Sequence, residues 1–76
     1  MPYIAIKAYK KDEKIKQEVV EEINRIFLEK WGCPQSAITV SIEEYSPEDW
    51  ESKVRRGDIE AAMSSVMILE GEKKYK

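Results

Sequence analysis

Two strand-like segments with one long amphipathic helix between them set the tightest limit on what this chain can fold into. Residues 2–9, PYIAIKAY, alternate with a period of two, with Tyr3, Ala5, Lys7 and Tyr9 on one face and Ile4, Ile6 and Ala8 on the other. Residues 37–45, AITVSIEEY, alternate again, with Ile38, Val40 and Ile42 opposed to Thr39, Ser41, Glu43 and Tyr45. Between them, from Glu13 to about Trp31, Ile15, Val19, Ile23, Ile26 and Phe27 recur at spacings of three and four, and Val20 and Leu28 widen the stripe. Asp12 stands where a helix N-cap belongs, and Gly32 and Pro34 stand where the helix should stop. A strand, a helix and a strand in that order make a parallel pair joined by a crossover. Two strands are not a viable sheet by themselves. The expected fold class is therefore α/β (α+β): a β-α-β unit with short C-terminal helices, its sheet completed by homo-oligomerisation.

The second half reads as helical. Ser46, Pro47 and Asp49 form a helix start, with a cap, a proline in the first turn and an acid three residues after the cap. That helix is expected to stop near Gly57, and Asp58 to cap a last one carrying Ile59, Ala62, Met63 and Val66. Residues 69–76 are polar and are expected to fray as a tail of a single domain spanning 1–76. Arg55 and Arg56 read as cations suiting a helix end.

Composition narrows the chemistry. Cys33 is the one cysteine, so no disulfide framework is available, and a lone thiol suits a reducing compartment. No signal-peptide pattern and no apolar run of about 20 residues is present, which makes the cytoplasm the expected location and excludes a membrane partner. Thirteen basic residues stand against 15 acidic ones, net −2, an unsuitable balance for nucleic acid. With no histidine, the usual zinc sets and Ser–His–Asp or Cys–His catalysis are out of reach, and neither a metal nor a cofactor is expected. A catalytic base must then be a carboxylate, a lysine, a tyrosine or a terminal amine. Glu43 and Glu44 are neighbours on a strand, so they point to opposite faces and cannot serve one site together.

That elimination turns attention to Pro2, directly after Met1. A small second residue favours removal of the initiator methionine, which would leave a secondary amine. An α-amino group starts near a pKa of about 7.7–8.0, close to the value that suits a general base at neutral pH. Apolar surroundings and nearby cations lower it further. Tyr3, Ile4, Phe27 and Trp50 are candidates for the apolar wall, and Lys7, Lys10 and Lys11 for the positive charge.

The Met1-Pro2 start running straight into a strand, the β-α-β order, the chain length and the entry "GCP…ITVSIEEY" to the second strand resemble the tautomerase superfamily, in its 4-oxalocrotonate tautomerase-like branch. The second half, "SIEEYSPEDWESKV" and a further helix, is most similar to the dimeric subgroup of small phenylpyruvate-type tautomerases. The resemblance implies keto–enol proton transfer on a small 2-oxo or enol acid, with Pro2 as base and acid. It implies a carboxylate-binding cation just after the first strand, where Lys10 or Lys11 stands in for the family's arginine, and another early in the second strand, where this chain has the uncharged Thr39. It also implies an aromatic wall at Trp50. Without the arginines, monocarboxylate enols are expected over dicarboxylates. A homodimer is expected over a hexamer, because the last helix would cover the surface on which shorter relatives stack. The alternative is a catalytically silent oligomeric protein of the same fold that serves in binding or assembly.

Overall fold

In the computed structural model, which describes residues 1–75, β1 (Tyr3–Tyr9) and β2 (Thr39–Tyr45) pair in parallel, from Tyr3 opposite Thr39 to Tyr9 opposite Tyr45. The alternating segments pair over Tyr3–Tyr9 and Thr39–Tyr45, while Ala37, expected in the second strand, closes a 3-10 turn over Gln35–Ala37 instead. Ile4, Ile6 and Ala8 share a face with Val40 and Ile42, and all five are half-buried. The opposite face carries Tyr3, Ala5, Lys7 and Tyr9 beside Thr39, Ser41, Glu43 and Tyr45.

The crossover is α1 (Glu13–Ile26), prolonged by a wider π-helical turn over Phe27–Trp31. Asp12 does sit at the N-cap, but its backbone carbonyl, accepting from Lys16 N–H at 3.1 Å, makes the first bond rather than its side chain. Phe27 and Trp31 pack their rings 5.2 Å apart across the wide turn. The chain leaves the helix at Gly32, whose φ of 77° lies in the left-handed region where a side chain is strained. The Asn24 and Gln35 side-chain amides then donate to each other's oxygens at 2.8 Å and tie the connecting loop to the helix.

α1 lies on the isoleucine face of the pair, with Ile15 and Val19 facing Ile6 and Ile42 across a cleft. The apolar stripe is broader than two strands can cover. Ile15, Val19 and Ile26 remain 42%, 41% and 51% exposed.

Residues from 47 onward form a second compact unit. Its short helices do not divide at Gly57, as expected, but farther on. A single helical run, α2, starts at Pro47–Asp49, widens into π-helical turns over Trp50–Ile59 and tightens into a 3-10 turn over Glu60–Ser65. Gly57 does not stop it, because a glycine ends a helix by taking positive φ, and only Gly32 and Gly71 among the described glycines do so. Asp58 consequently lies inside the run and caps nothing new. A kink at Ala62 (φ −120°, ψ 31°) divides its last turn, and an extended Val66 ends it.

The segment expected to fray begins with a small hairpin. β3 (Ile68–Leu69) pairs antiparallel with β4 (Glu72–Lys73) around a Glu70–Gly71 turn, closed by Lys74 N–H to the Met67 carbonyl at 2.7 Å. The final residue of the expected tail, at position 76, lies outside the described residues. Among the described residues, Val54, 3% exposed, is the one hydrophobic side chain that is fully buried. No helix among them is long and apolar enough to cross a membrane.

Candidate active site

Pro2 enters β1 with its carbonyl accepting from the Thr39 backbone N–H at 3.2 Å. This bond extends the parallel ladder one rung beyond the strand and holds Pro2, half-buried, beside the start of β2. Two of the predicted site residues, Pro2 and Thr39, are therefore brought together. On the outward face of the same rungs, the Tyr3 and Ser41 hydroxyls lie 3.0 Å apart and hydrogen-bond across the strands. With Met1 attached, the Pro2 nitrogen is an amide and carries no basic lone pair.

Lys10 and Lys11 are not part of that cluster. They follow β1 at its other end, and the seven residues of β1, eight steps of about 3.3 Å, separate Pro2 from Lys10 by about 26 Å. There they rim a cleft of about 310 Å³ floored by Ile6 and Ile42 and walled by Ile15 and Val19. Lys11 uses its backbone: its N–H donates to Glu44 Oε2 at 3.0 Å. Lys16 Nζ donates to the same oxygen at 3.1 Å. The Lys11 N–H, with Lys16 second, holds the Glu44 carboxyl below the usual carboxylate range, and the bond to Glu44 raises the Lys16 ammonium above its ordinary value. A carboxylate so stabilised is a poor proton acceptor. Glu43, on the other face opposite Lys7, has no share in this cluster, as the strand geometry requires.

Trp50 lies in the second unit and is half-buried on the wall of a cleft of about 390 Å³, with Ile59, Met63 and Leu69. Arg55 reaches into the same cleft and donates from Nη1 to Glu70 Oε2 at 2.7 Å.

The family model described as "Tautomerase enzyme" matches residues 2–55. The chain belongs to the tautomerase family. A curated relative named "Probable tautomerase", from Xylella fastidiosa (strain 9a5c), is 32% identical over 63 residues, covering 82% of this chain and 77% of the relative. Membership supports tautomerase activity in general, an isomerase reaction. The family match opens at Pro2 and takes in β1, α1, β2 and α2 as far as Arg55.

Within this tautomerase fold, sequence reasoning missed three features. The anchoring of Glu44 needs the parallel register and the helix placement together, and neither is visible locally. The Tyr3–Ser41 bond needs the register alone. Arg55 was read as a cation at a helix end, but it lies inside a continuous helical run, and its partner Glu70 is 15 residues away across a hairpin.

Proposed function

We propose that this protein interconverts keto and enol forms of a small 2-oxo acid, with Pro2, freed of Met1, as the proton-transfer group. The observation that carries the reading is the placement of Pro2: half-buried, fixed by its carbonyl to Thr39, and at the position where the family match begins. Burial of an amine disfavours its ammonium form and so favours the neutral base. The neutral amine takes a proton from the carbon next to the carbonyl, and the bonding pair passes to the carbonyl oxygen. The ammonium so formed returns its proton to that oxygen and gives the enol. Ketonisation runs the same steps in reverse. The ring restricts the amine, so little orientation is lost on reaction.

The substrate is a monocarboxylate. A lysine is a point charge rather than a two-pronged fork and holds a single carboxylate loosely. Because strand length keeps Lys10 and Lys11 far from Pro2 in one chain, any role for them at the same substrate comes through a second copy of this chain, in a homodimer. A lone Cys33 and the absence of other cysteines suit a reducing cytoplasm.

Intact mass spectrometry separates processed from Met1-retaining protein, and ultraviolet absorbance follows phenylpyruvate tautomerisation. The processed form is expected to be active and the retained form to lose about 100-fold or more, the usual share of a general base. Pro2→Ala keeps a primary amine and loses only part of the rate. Equal rates in the processed and retained forms would overturn the assignment. An inactive processed form would return the chain to the alternative, a binding or assembly protein.

A further inference from the structure

Glu44 departs from the pattern of its strand. Val40 and Ile42 stand on the face turned to α1, and Glu44 is the next residue on that face, opposite Ala8 of β1. A charge at such a position costs desolvation unless partners meet it. Its partners come from outside the sheet, the Lys11 N–H from the loop between β1 and α1 and the Lys16 ammonium from α1. We propose that Glu44 is a positioning residue: it fixes residues 10–12 at the mouth of the cleft over Ile6 and Ile42, and so sets how Lys10 and Lys11 meet an anion. This role rests on the reading of those lysines as holders of the substrate carboxylate, and adds the group that holds the lysines.

Three observations carry the proposal. Two donors from different elements converge on one oxygen, Glu44 Oε2, at 3.0 and 3.1 Å. The Glu44 and Lys16 side chains are only 29% and 22% exposed, so water competes less there than at an open ion pair. The second observation is the loop itself. The Asp12 side chain makes no cap bond, and the Asp12 carbonyl accepts from the Lys16 N–H. Residues 10–12 are thus held on one side by the Glu44 carboxylate and on the other by the first turn of α1, and Lys16 takes part in both. The third is what the loop carries. Lys10, Lys11 and Lys16 all line the cleft. A lysine is a point charge on a flexible stem, so the fold can place it only by placing its main chain. The charges facing Glu44 are Lys10 from the loop and Lys16 from α1, with Glu13 3.6 Å from the same Lys16 ammonium. The Lys11 N–H and Lys16 hold the carboxyl below its ordinary range, which keeps the tie closed at neutral pH.

The test is an NMR titration of isotope-labelled protein that retains Met1. It reads binding and not turnover, so an inactive Pro2 leaves its result standing. In the unaltered chain the Lys11 amide proton is expected to move downfield as pH rises through the pKa of Glu44, because the carboxylate is the stronger acceptor. An amide that ignores this titration overturns the role, and the measurement stands even where a variant fails to fold. At neutral pH the protein is then titrated with phenylacetate, and the dissociation constant is read from the amide shifts. Glu44→Ala is expected to weaken binding about tenfold. Glu44→Gln, whose carbonyl still accepts from Lys11, is expected to weaken it only about threefold. In a chain that also carries Lys10→Ala and Lys11→Ala, Glu44→Ala should cost nothing further. A loss that persists in full without the two lysines marks a merely structural part and overturns the proposal. No binding of phenylacetate by the unaltered chain overturns it too. Weaker binding by the lysine variant beside unchanged binding by Glu44→Ala sinks this role alone. Unchanged binding by the lysine variant sinks the lysine reading, and this role with it.

Discussion

If the proposed homodimer is held together along one flank of α1, Ile26→Lys is expected to break it. Ile15, Val19 and Ile26 fall within about 40° of one another around the helix. They remain 42%, 41% and 51% exposed, beside the half-buried Ile23 and Val20. Full burial of an isoleucine side chain is worth about 1.5–3 kcal/mol, so the half of Ile26 still exposed represents about 1 kcal/mol on further burial. A two-fold interface counts the site twice, which gives about 2 kcal/mol, or about 30-fold in the dimer dissociation constant. A lysine adds the desolvation of its charge, so 30-fold is a lower figure. Leu28, 38% exposed on the opposite flank, is the control. Sedimentation velocity over a nanomolar-to-micromolar series reads the dissociation constant directly. The reasoning fails if Ile26→Lys and Leu28→Lys weaken association equally, or if the unaltered protein is a stable monomer at micromolar concentration.

Lys10→Ala and Lys11→Ala should raise KM for phenylpyruvate more than they lower kcat if either holds the carboxylate equally in ground and transition states, and steady-state kinetics at matched dimer concentration checks this. No change in either constant would leave these lysines as solvated charge. Glu44→Gln should destabilise the fold at neutral pH and have progressively less effect in acid. The folded carboxyl sits below its ordinary value of 4.5, so its contribution is present above that value and disappears as pH falls through the folded pKa. Lys16 is shifted the other way, so its contribution holds below 10.5 and is lost only as pH rises through its raised value, and thermal melts from acid to alkaline pH read both. Gly32→Ala should lower stability by about 1–2 kcal/mol through left-handed strain alone, because a Cβ there meets nothing within 4 Å, and urea midpoints measure it.

The first half of the fold was legible because its signals are periodic and local. Alternation marks β1 and β2, a three-four stripe marks α1, and Gly32 ends the helix by a conformation that few other residues adopt. The second half was legible only as helix-forming. A glycine is an ambiguous mark, and Gly57 continues the run because the backbone never turns left-handed there. Pro2 was singled out by its position beside Met1. The separation of Lys10 from Pro2 follows at once from strand length, yet a list of candidate residues does not display it. Glu44 was legible as lying away from Glu43, but its two donors come from a loop and a helix that only the folded chain assembles.

Two features fit the proposed homodimer. The exposed flank of α1 lacks a cover, and the lysines at one end of β1 lack a route to Pro2 at the other. A two-fold axis perpendicular to the strands answers both, since it sets β1 of one chain antiparallel to β1 of the next and brings the end of one strand toward the start of the other. Each proton-transfer site would then draw on both chains, and activity would follow assembly. Ile26→Lys should therefore lower the activity per chain at dilutions where its dimer has dissociated, and recover it as the protein is concentrated, while Leu28→Lys should match the unaltered protein throughout. A dissociated Ile26→Lys monomer with full activity would mean that one chain holds the whole site and that Lys10 and Lys11 have no part in it.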